Sequence, residues 1–130
     1  MIILFHAGVD IGLPPPYHCT PERLFTLIKD FPGGVFVASH MGGYKCWDQV
    51  EELLAGRSIY FDTSYSLHAL GAEKVVKIIK AHGMEKVLFG TDSPWASQEK
   101  EIERFNALVL SSDDKKNILG MNAAMLLGIL

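Results

Sequence analysis

The chain has 130 residues, 48% of them hydrophobic, enough for one domain with a packed core. Its 12 basic and 15 acidic residues give a formal charge of −3 and no basic stripe, which argues against nucleic acid as a partner. No apolar run approaches the roughly 20 residues of a membrane span. Met1–Phe5 lacks the basic flank and long apolar stretch of a signal peptide. Cys19 and Cys46 form neither a disulfide framework nor a Cys-x-x-Cys pair. The expectation is a cytoplasmic protein with reduced thiols and no membrane partner.

Four strand–helix units follow in order. Ile2–Phe5 is the first strand. A loop rich in Gly and Pro leads to a helix with Thr20 as N-cap and Pro21 at its first position. Leu24, Leu27 and Ile28 form its apolar stripe, and Phe31-Pro32-Gly33-Gly34 ends it. Val35–Ser39 is the second strand. Its helix covers Lys45–Ala55, with Trp47, Val50, Leu53 and Leu54 at helical spacing and Gly56 as its stop. Ser58–Asp62 is the third strand. Its helix, Ala72–Ala81, carries Val75, Val76, Ile78 and Ile79 and ends at His82, where a positive charge suits the helix dipole. Val87–Thr91 is the fourth strand. Ser97 caps a helix holding Ile102, Phe105 and Leu108. Asp113 or Asp114 caps a short turn to Leu119, and Asn122 caps the last helix through Leu127. Strands alternating with helices predict an α/β fold with a parallel sheet and right-handed crossovers.

Three of the strands end on a residue that can bind a metal or move a proton. Ile2–Phe5 runs into His6, Val35–Ser39 into His40, and Val87–Thr91 into Asp92. Short, continuous apolar runs suit strands buried on both faces. A polar residue at the carboxyl end of such a strand is where α/β barrels place their chemistry. A complete barrel has eight strands and typically ~250 residues, and the four units of this single domain, residues 1–130, are half of that.

The motifs Phe5-His6-Ala7-Gly8, Ala38-Ser39-His40-Met41-Gly42-Gly43, Tyr60-Phe61-Asp62-Thr63-Ser64 and Phe89-Gly90-Thr91-Asp92-Ser93-Pro94 resemble the last four strand ends of the amidohydrolase superfamily. The resemblance is to the branch containing aminocarboxymuconate-semialdehyde decarboxylase and many TIM-barrel metal-dependent hydrolases. The closing stretch, Ile118-Leu119-Gly120 with Asn122-Ala123-Ala124, is similar to the C-terminal helices of that branch. Each motif alone is weak, but four in order, each at a strand end, are specific. The resemblance implies half of a (β/α)8 barrel, equivalent to strands five to eight. It implies that His6 is the metal-binding histidine of the fifth strand and that His40 is the acid/base or stabilising histidine of the sixth, a ligand in two-metal relatives. Asp92 is then the aspartate of the eighth strand, which binds the metal and takes a proton from the water it activates. The implied activity is metal-dependent hydrolysis of a small carboxylated, lactone or amide substrate, or non-oxidative decarboxylation.

The residue types agree with those roles. Imidazole and carboxylate are good ligands for zinc, the first expectation, and for manganese or iron as alternatives. Such a metal activates water and polarises a carbonyl, while a carboxylate and an imidazole beside it shuttle protons. One departure stands out: the family's His-x-His pair is absent from the chain. His6 and Asp92 supply two ligands, or three with His40, where catalytic zinc takes three and an open position. A half barrel also exposes two sheet edges, so the expectation is a homo-oligomer or a partner half that completes it. Two rivals remain. One is a non-catalytic module that dimerises. The other is a flavodoxin-like binding domain with Gly42-Gly43 as a phosphate loop.

Other residues keep two readings. Asp62 either anchors the polar layer at the strand ends or contacts substrate. Asp92, before Ser93-Pro94, is also a turn former. Trp95 can line the pocket mouth. His18 and His68 follow strand ends, as solvated loop residues or as substrate contacts. Val9–Cys19 is long for a βα connection, which suits a lid or a binding loop. Trp47 is read as core, and Cys46 is given no nucleophilic role because nothing pairs it with a base.

Overall fold

The computed structural model describes residues 1–130. Its strands are β1 (Ile2–Phe5), β2 (Val35–Ala38), β3 (Tyr60–Asp62) and β4 (Val87–Leu88), in one sheet of order β1-β2-β3-β4. All pairs are parallel, with Ile3 opposite Phe36, Phe5 opposite Ala38, Ala38 opposite Phe61, and Phe61 opposite Val87. A doubly wound sheet reverses its strand order at a switch point. This sheet steps one way throughout, which removes the flavodoxin-like alternative and matches the arrangement of a barrel.

Right-handed crossovers that all step the same way bring the helices to one face. That face carries Ile3, Phe5, Phe36, Ala38, Phe61 and Val87, all within or packed against the core cluster. The opposite face begins with Ile2 and Leu4, which are 38% and 64% exposed. Side chains alternate along a strand, so His6 continues the Ile2–Leu4 row on the uncovered face.

The helices are α1 (Pro21–Asp30), α2 (Trp47–Leu53), α3 (Leu67–Leu70), α4 (Ala72–His82), α5 (Gln98–Asn106), α6 (Ser112–Lys116) and α7 (Asn122–Leu127). Leu24 of α1, Val50 of α2, Val75, Ile78 and Ile79 of α4, and Phe105 of α5 are fully buried. Removing each such side chain from water contributes about 1.5–3 kcal/mol. No helix is long and apolar enough to cross a membrane. Both cysteines are free, and burial pushes both thiols up.

Several local expectations are corrected. Thr20 stands at the N-cap of α1, but its side chain accepts no capping bond. Ser97 does cap α5, accepting from the Lys100 amide. Neither Asp113 nor Asp114 caps α6. Ser111 does, accepting from the Asp114 amide at 3.1 Å while its hydroxyl donates to the Asp114 carboxylate at 2.6 Å. Asn122 caps nothing, because a π-turn over 117–121 carries helical backbone from α6 into α7. Its buried amide instead donates to the carbonyls of Met84 and Val87, at 2.7 and 2.8 Å. Strand β4 stops at Leu88, short of Thr91. The Phe89 amide turns to the Ile118 carbonyl at 3.0 Å, and Gly90 exchanges bonds with the Thr63 hydroxyl. The short helix α3 carries no clear apolar period and has no counterpart in the sequence expectations.

Candidate active site at the strand ends

The pairing of β1 with β2 does not end with the strands. Beyond His6, Tyr44 donates to the Ala7 carbonyl at 2.8 Å, and Val9 donates to the Tyr44 carbonyl at 2.9 Å. Gly8 sits at φ +88°, and a Cβ there would lie 2.2 Å from the Tyr44 nitrogen. Only glycine permits that approach. This second contact anchors the start of the Val9–Cys19 loop against the segment that follows His40.

At the end of β2 the backbone takes an unusual path. His40, Met41 and Gly42 have φ of +60°, +53° and +85°. Non-glycine residues in this region cost roughly 1–2 kcal/mol each. Hydrogen bonds hold the turn against that cost. The His40 amide donates to Asp62 Oδ1 at 3.1 Å, and the Met41 amide donates to the Asp62 carbonyl at 2.7 Å. The Trp47 indole N–H donates to the His40 carbonyl at 3.0 Å. Trp47 is thus half-buried against the core, as its spacing suggested, and also a clamp on the site. Asp92, at the end of the fourth unit, has φ +65° as well. Strain of this kind clusters at functional sites.

The turn delivers the His40 ring to His6. Their nitrogens, His40 Nε2 and His6 Nδ1, are 3.0 Å apart, with the rings edge to face. On its other side, His40 Nδ1 lies 2.9 Å from the Ser64 carbonyl and 3.2 Å from the Ser64 hydroxyl. His40 is 4% exposed. A cleft of about 360 Å³ opens over the pair and is also lined by Tyr44, Tyr65, Asp92 and Trp95. Trp95 stands 79% exposed at its rim. His6, His40 and Asp92 therefore share one cleft, with Trp95 at its mouth. His18 does not line that cleft. It lines an adjoining one of about 440 Å³, which also includes His6. Asp62 lines neither. Both its oxygens are taken within the chain, by the His40 and Ser64 amides and the Ser39 and Ser64 hydroxyls. Of the two readings open for Asp62, this geometry supports the anchor. His68 is exposed, with its ring against Tyr65.

The donor types suit a divalent metal, but the set is short. No three His, Cys, Asp or Glu groups converge at ligating distance. Both nitrogens of His40 already face partners within the chain, which leaves His6 and the Asp92 carboxylate. Two protein donors are fewer than the three a catalytic zinc takes. The residues of this chain do not by themselves make a complete metal site.

Sequence reasoning missed Tyr44, Tyr65 and Asp10, which line the cleft, and Ser39 and Ser64, which pack around Asp62. Tyr44 and Ser64 lie inside or beside the quoted motifs, so their position carried a signal that their residue type did not. Gly42 is no phosphate loop: a Cβ there would meet Phe61 and Val50 within 3 Å. His82 is corrected outright. It is 1% exposed, stacked on Phe61 at 3.7 Å, and burial, with Lys86 nearby, pushes its pKa down to about 4. It is neutral at pH 7 and places no charge on the helix end.

Comparison with known proteins agrees with this fold. No curated protein sequence matches the chain. Among solved structures, an uncharacterised TIM-barrel protein from Bordetella bronchiseptica is 21% identical with TM-score 0.76, over 98% of this chain and 46% of that one. A 2,6-dihydroxybenzoate decarboxylase from Rhizobium is 16% identical with TM-score 0.67, over 98% and 51%. A dihydroxybenzoic acid decarboxylase from a Polaromonas species, with bound manganese and the inhibitor 2-nitroresorcinol, is 20% identical with TM-score 0.65, over 84% and 39%. The chain thus spans about half or less of these relatives, and at such identity the likeness shows the fold. Residues 6–129 match the amidohydrolase family model. With a one-way parallel sheet and histidines at two adjacent strand ends, the chain belongs to the amidohydrolase family.

Proposed function

We propose that this chain supplies the carboxyl-end half of a metal-dependent amidohydrolase-type site. The substrate is a small carboxylated molecule, and the reaction is its non-oxidative decarboxylation or the hydrolysis of an amide, ester or lactone bond. The observation that carries this reading is the contact between His6 and His40 on adjacent strand ends, inside a cleft that also holds Asp92. His6 and Asp92 are the donors offered to a divalent ion. Zinc is the first expectation, and the manganese in the Polaromonas decarboxylase supports manganese equally. His40 is the acid/base group. Its Nε2 is the nitrogen on the His6 side; in this role it leaves the His6 contact to take a proton from water or deliver one to a substrate atom. Asp92 is the second proton acceptor. Trp95 at the rim, and His18 from the adjoining cleft, are the proposed substrate contacts. Asp62 acts through His40.

The short donor set and the open sheet bear on how the site is completed. Strand β1 pairs only with β2, and β4 only with β3. Unpaired edges beside exposed Ile2 and Leu4 invite further strands. A second copy of the chain or four further βα units would cover them and bring the missing donors. Sedimentation equilibrium at micromolar concentration tests this, and a sharp monomer counts against it.

The functional test is metal content per chain, on protein purified without tag or chelator, followed by calorimetric titration of zinc, manganese and ferrous ion into wild type and Asp92→Ala. Stoichiometric metal in wild type, weakened at least tenfold in Asp92→Ala, supports the reading. Turnover in a screen of hydroxylated aromatic acids, lactones and amides then names the reaction. No metal uptake and no turnover would favour a non-catalytic dimerising module.

A further inference from the structure

We infer that Asp62 and Ser64 set the tautomer of His40, and through it that of His6, making Asp62 a positioning residue for the candidate site. The argument follows the protons. A carbonyl oxygen only accepts, so the 2.9 Å contact between His40 Nδ1 and the Ser64 carbonyl requires a proton on Nδ1. The Ser64 hydroxyl, 3.2 Å from the same nitrogen, would compete for that arrangement if it donated to the ring. It does not, because Asp62 takes its proton. Ser64 Oγ is 2.5 Å from Asp62 Oδ1, and a carboxylate has no proton to give back. Asp62 also receives the Ser64 amide at 3.0 Å, the His40 amide at 3.1 Å and the Ser39 hydroxyl at 2.9 Å. Every contact on it is a donor. The Ser64 hydroxyl is left only lone pairs to show the imidazole, so both Ser64 oxygens favour Nδ1–H.

With its proton on Nδ1, neutral His40 carries its lone pair on Nε2. His6 Nδ1, 3.0 Å away, must then be the donor of that pair. The free lone pair of His6 falls on its Nε2. One carboxylate outside both clefts thereby decides which nitrogen each of the two histidines offers. The same group holds the His40 backbone at φ +60°. The inference rests on the placement of His40 in the proposed site, but it concerns protons in the chain itself and stands or falls without any turnover.

The test is nitrogen-15 NMR of histidine-labelled full-length chain at pH 8, where the ring resonances report each tautomer. His82 is a built-in control of opposite sense. Its Nε2 lies 2.8 Å from the Ile59 carbonyl, and the Gly56 amide donates to its Nδ1, so it is the Nε2–H form. Wild type should show His40 with Nδ1 protonated, His6 with Nδ1 protonated and His82 with Nε2 protonated. In Asp62→Ala, with the His82 signal unchanged, the His40 tautomer ratio should shift roughly fivefold, the equivalent of one ordinary hydrogen bond. In Ser64→Ala, which keeps the carbonyl, it should shift less. If Asp62→Ala loses the His82 signature and hence the fold, the wild-type tautomers decide alone, because Asp62→Asn would keep Oδ1 as an acceptor for the Ser64 hydroxyl. Wild-type His40 protonated on Nε2 overturns the inference. So does an unmoved His40 ratio in folded Asp62→Ala.

Discussion

His40 and His82 are both buried histidines, 4% and 1% exposed, and they differ in where the second ring nitrogen goes. His82, at the end of α4, spends both nitrogens on backbone groups, the Ile59 carbonyl and the Gly56 amide, and its face lies flat on Phe61. It fills the core with no valence to spare. His40, at the end of β2, spends one nitrogen on Ser64 and turns the other toward His6 and a cleft. The backbone follows suit: His40 is held at positive φ, and His82 closes a regular helix. Burial alone does not mark a reactive histidine here. A strained backbone with one nitrogen aimed at a second ionisable side chain is what sets His40 apart from His82.

The contrast can be broken most directly by removing each ring. His40→Ala should lower turnover of any substrate found by the screen about 10²–10⁴-fold, the range for loss of a general acid or base. His82→Ala should leave turnover per folded chain near wild type. In urea unfolding the order reverses. His82→Ala should cost about 2–4 kcal/mol, from a cavity against Phe61 and an unpaired Ile59 carbonyl, and His40→Ala less, because cleft water can reach the Ser64 oxygens. Equal losses in both assays for both variants would erase the distinction.

Gly8→Ala probes the scaffold beneath the cleft. A Cβ 2.2 Å from the Tyr44 nitrogen, at φ +88°, should cost about 3 kcal/mol in urea unfolding and impair the His6–His40 site with it.

Acid should act on the His82 side. The folded pKa of about 4 lies below the ordinary histidine value of 6.5, so between these values the unfolded chain binds the proton that the folded chain refuses. The contribution is complete above pH 6.5 and is lost as pH falls toward 4, by roughly 3 kcal/mol in all. His82→Phe should flatten the pH dependence of the urea midpoint across that window. An unchanged slope would place the titrating group elsewhere.

The smallest effects separate real caps from apparent ones, away from both histidines. Ser111→Ala should cost about 1 kcal/mol, because Ser111 caps α6. Thr20→Ala should stay within about 0.5 kcal/mol, because Thr20 caps nothing. Thermal melts of the two variants check the pair.

Much of the scaffold was legible in the chain because it rests on local pattern. An apolar run of four residues stopping at His6 predicted β1 to within its bounds, and the spacing of Val75, Ile78 and Ile79 predicted α4 to within a residue. The same pattern put His6, His40 and Asp92 at strand ends, and the fold gathers all three around one cleft. What the pattern missed involves bonds between residues far apart in sequence. The end of β4 depends on Ile118, the place of Asn122 on Met84 and Val87, and the neutrality of His82 on Phe61 and Ile59. The sequence by itself determined the strand–helix alternation and the residue type at each strand end, since hydrophobic periodicity and helix or turn stops are properties of neighbours along the chain. Only the tertiary structure decided that Asp62 holds His40, that Trp47 clamps its carbonyl, and that both His40 nitrogens face partners within the chain. Those outcomes depend on distances across strands, which no spacing along the chain encodes.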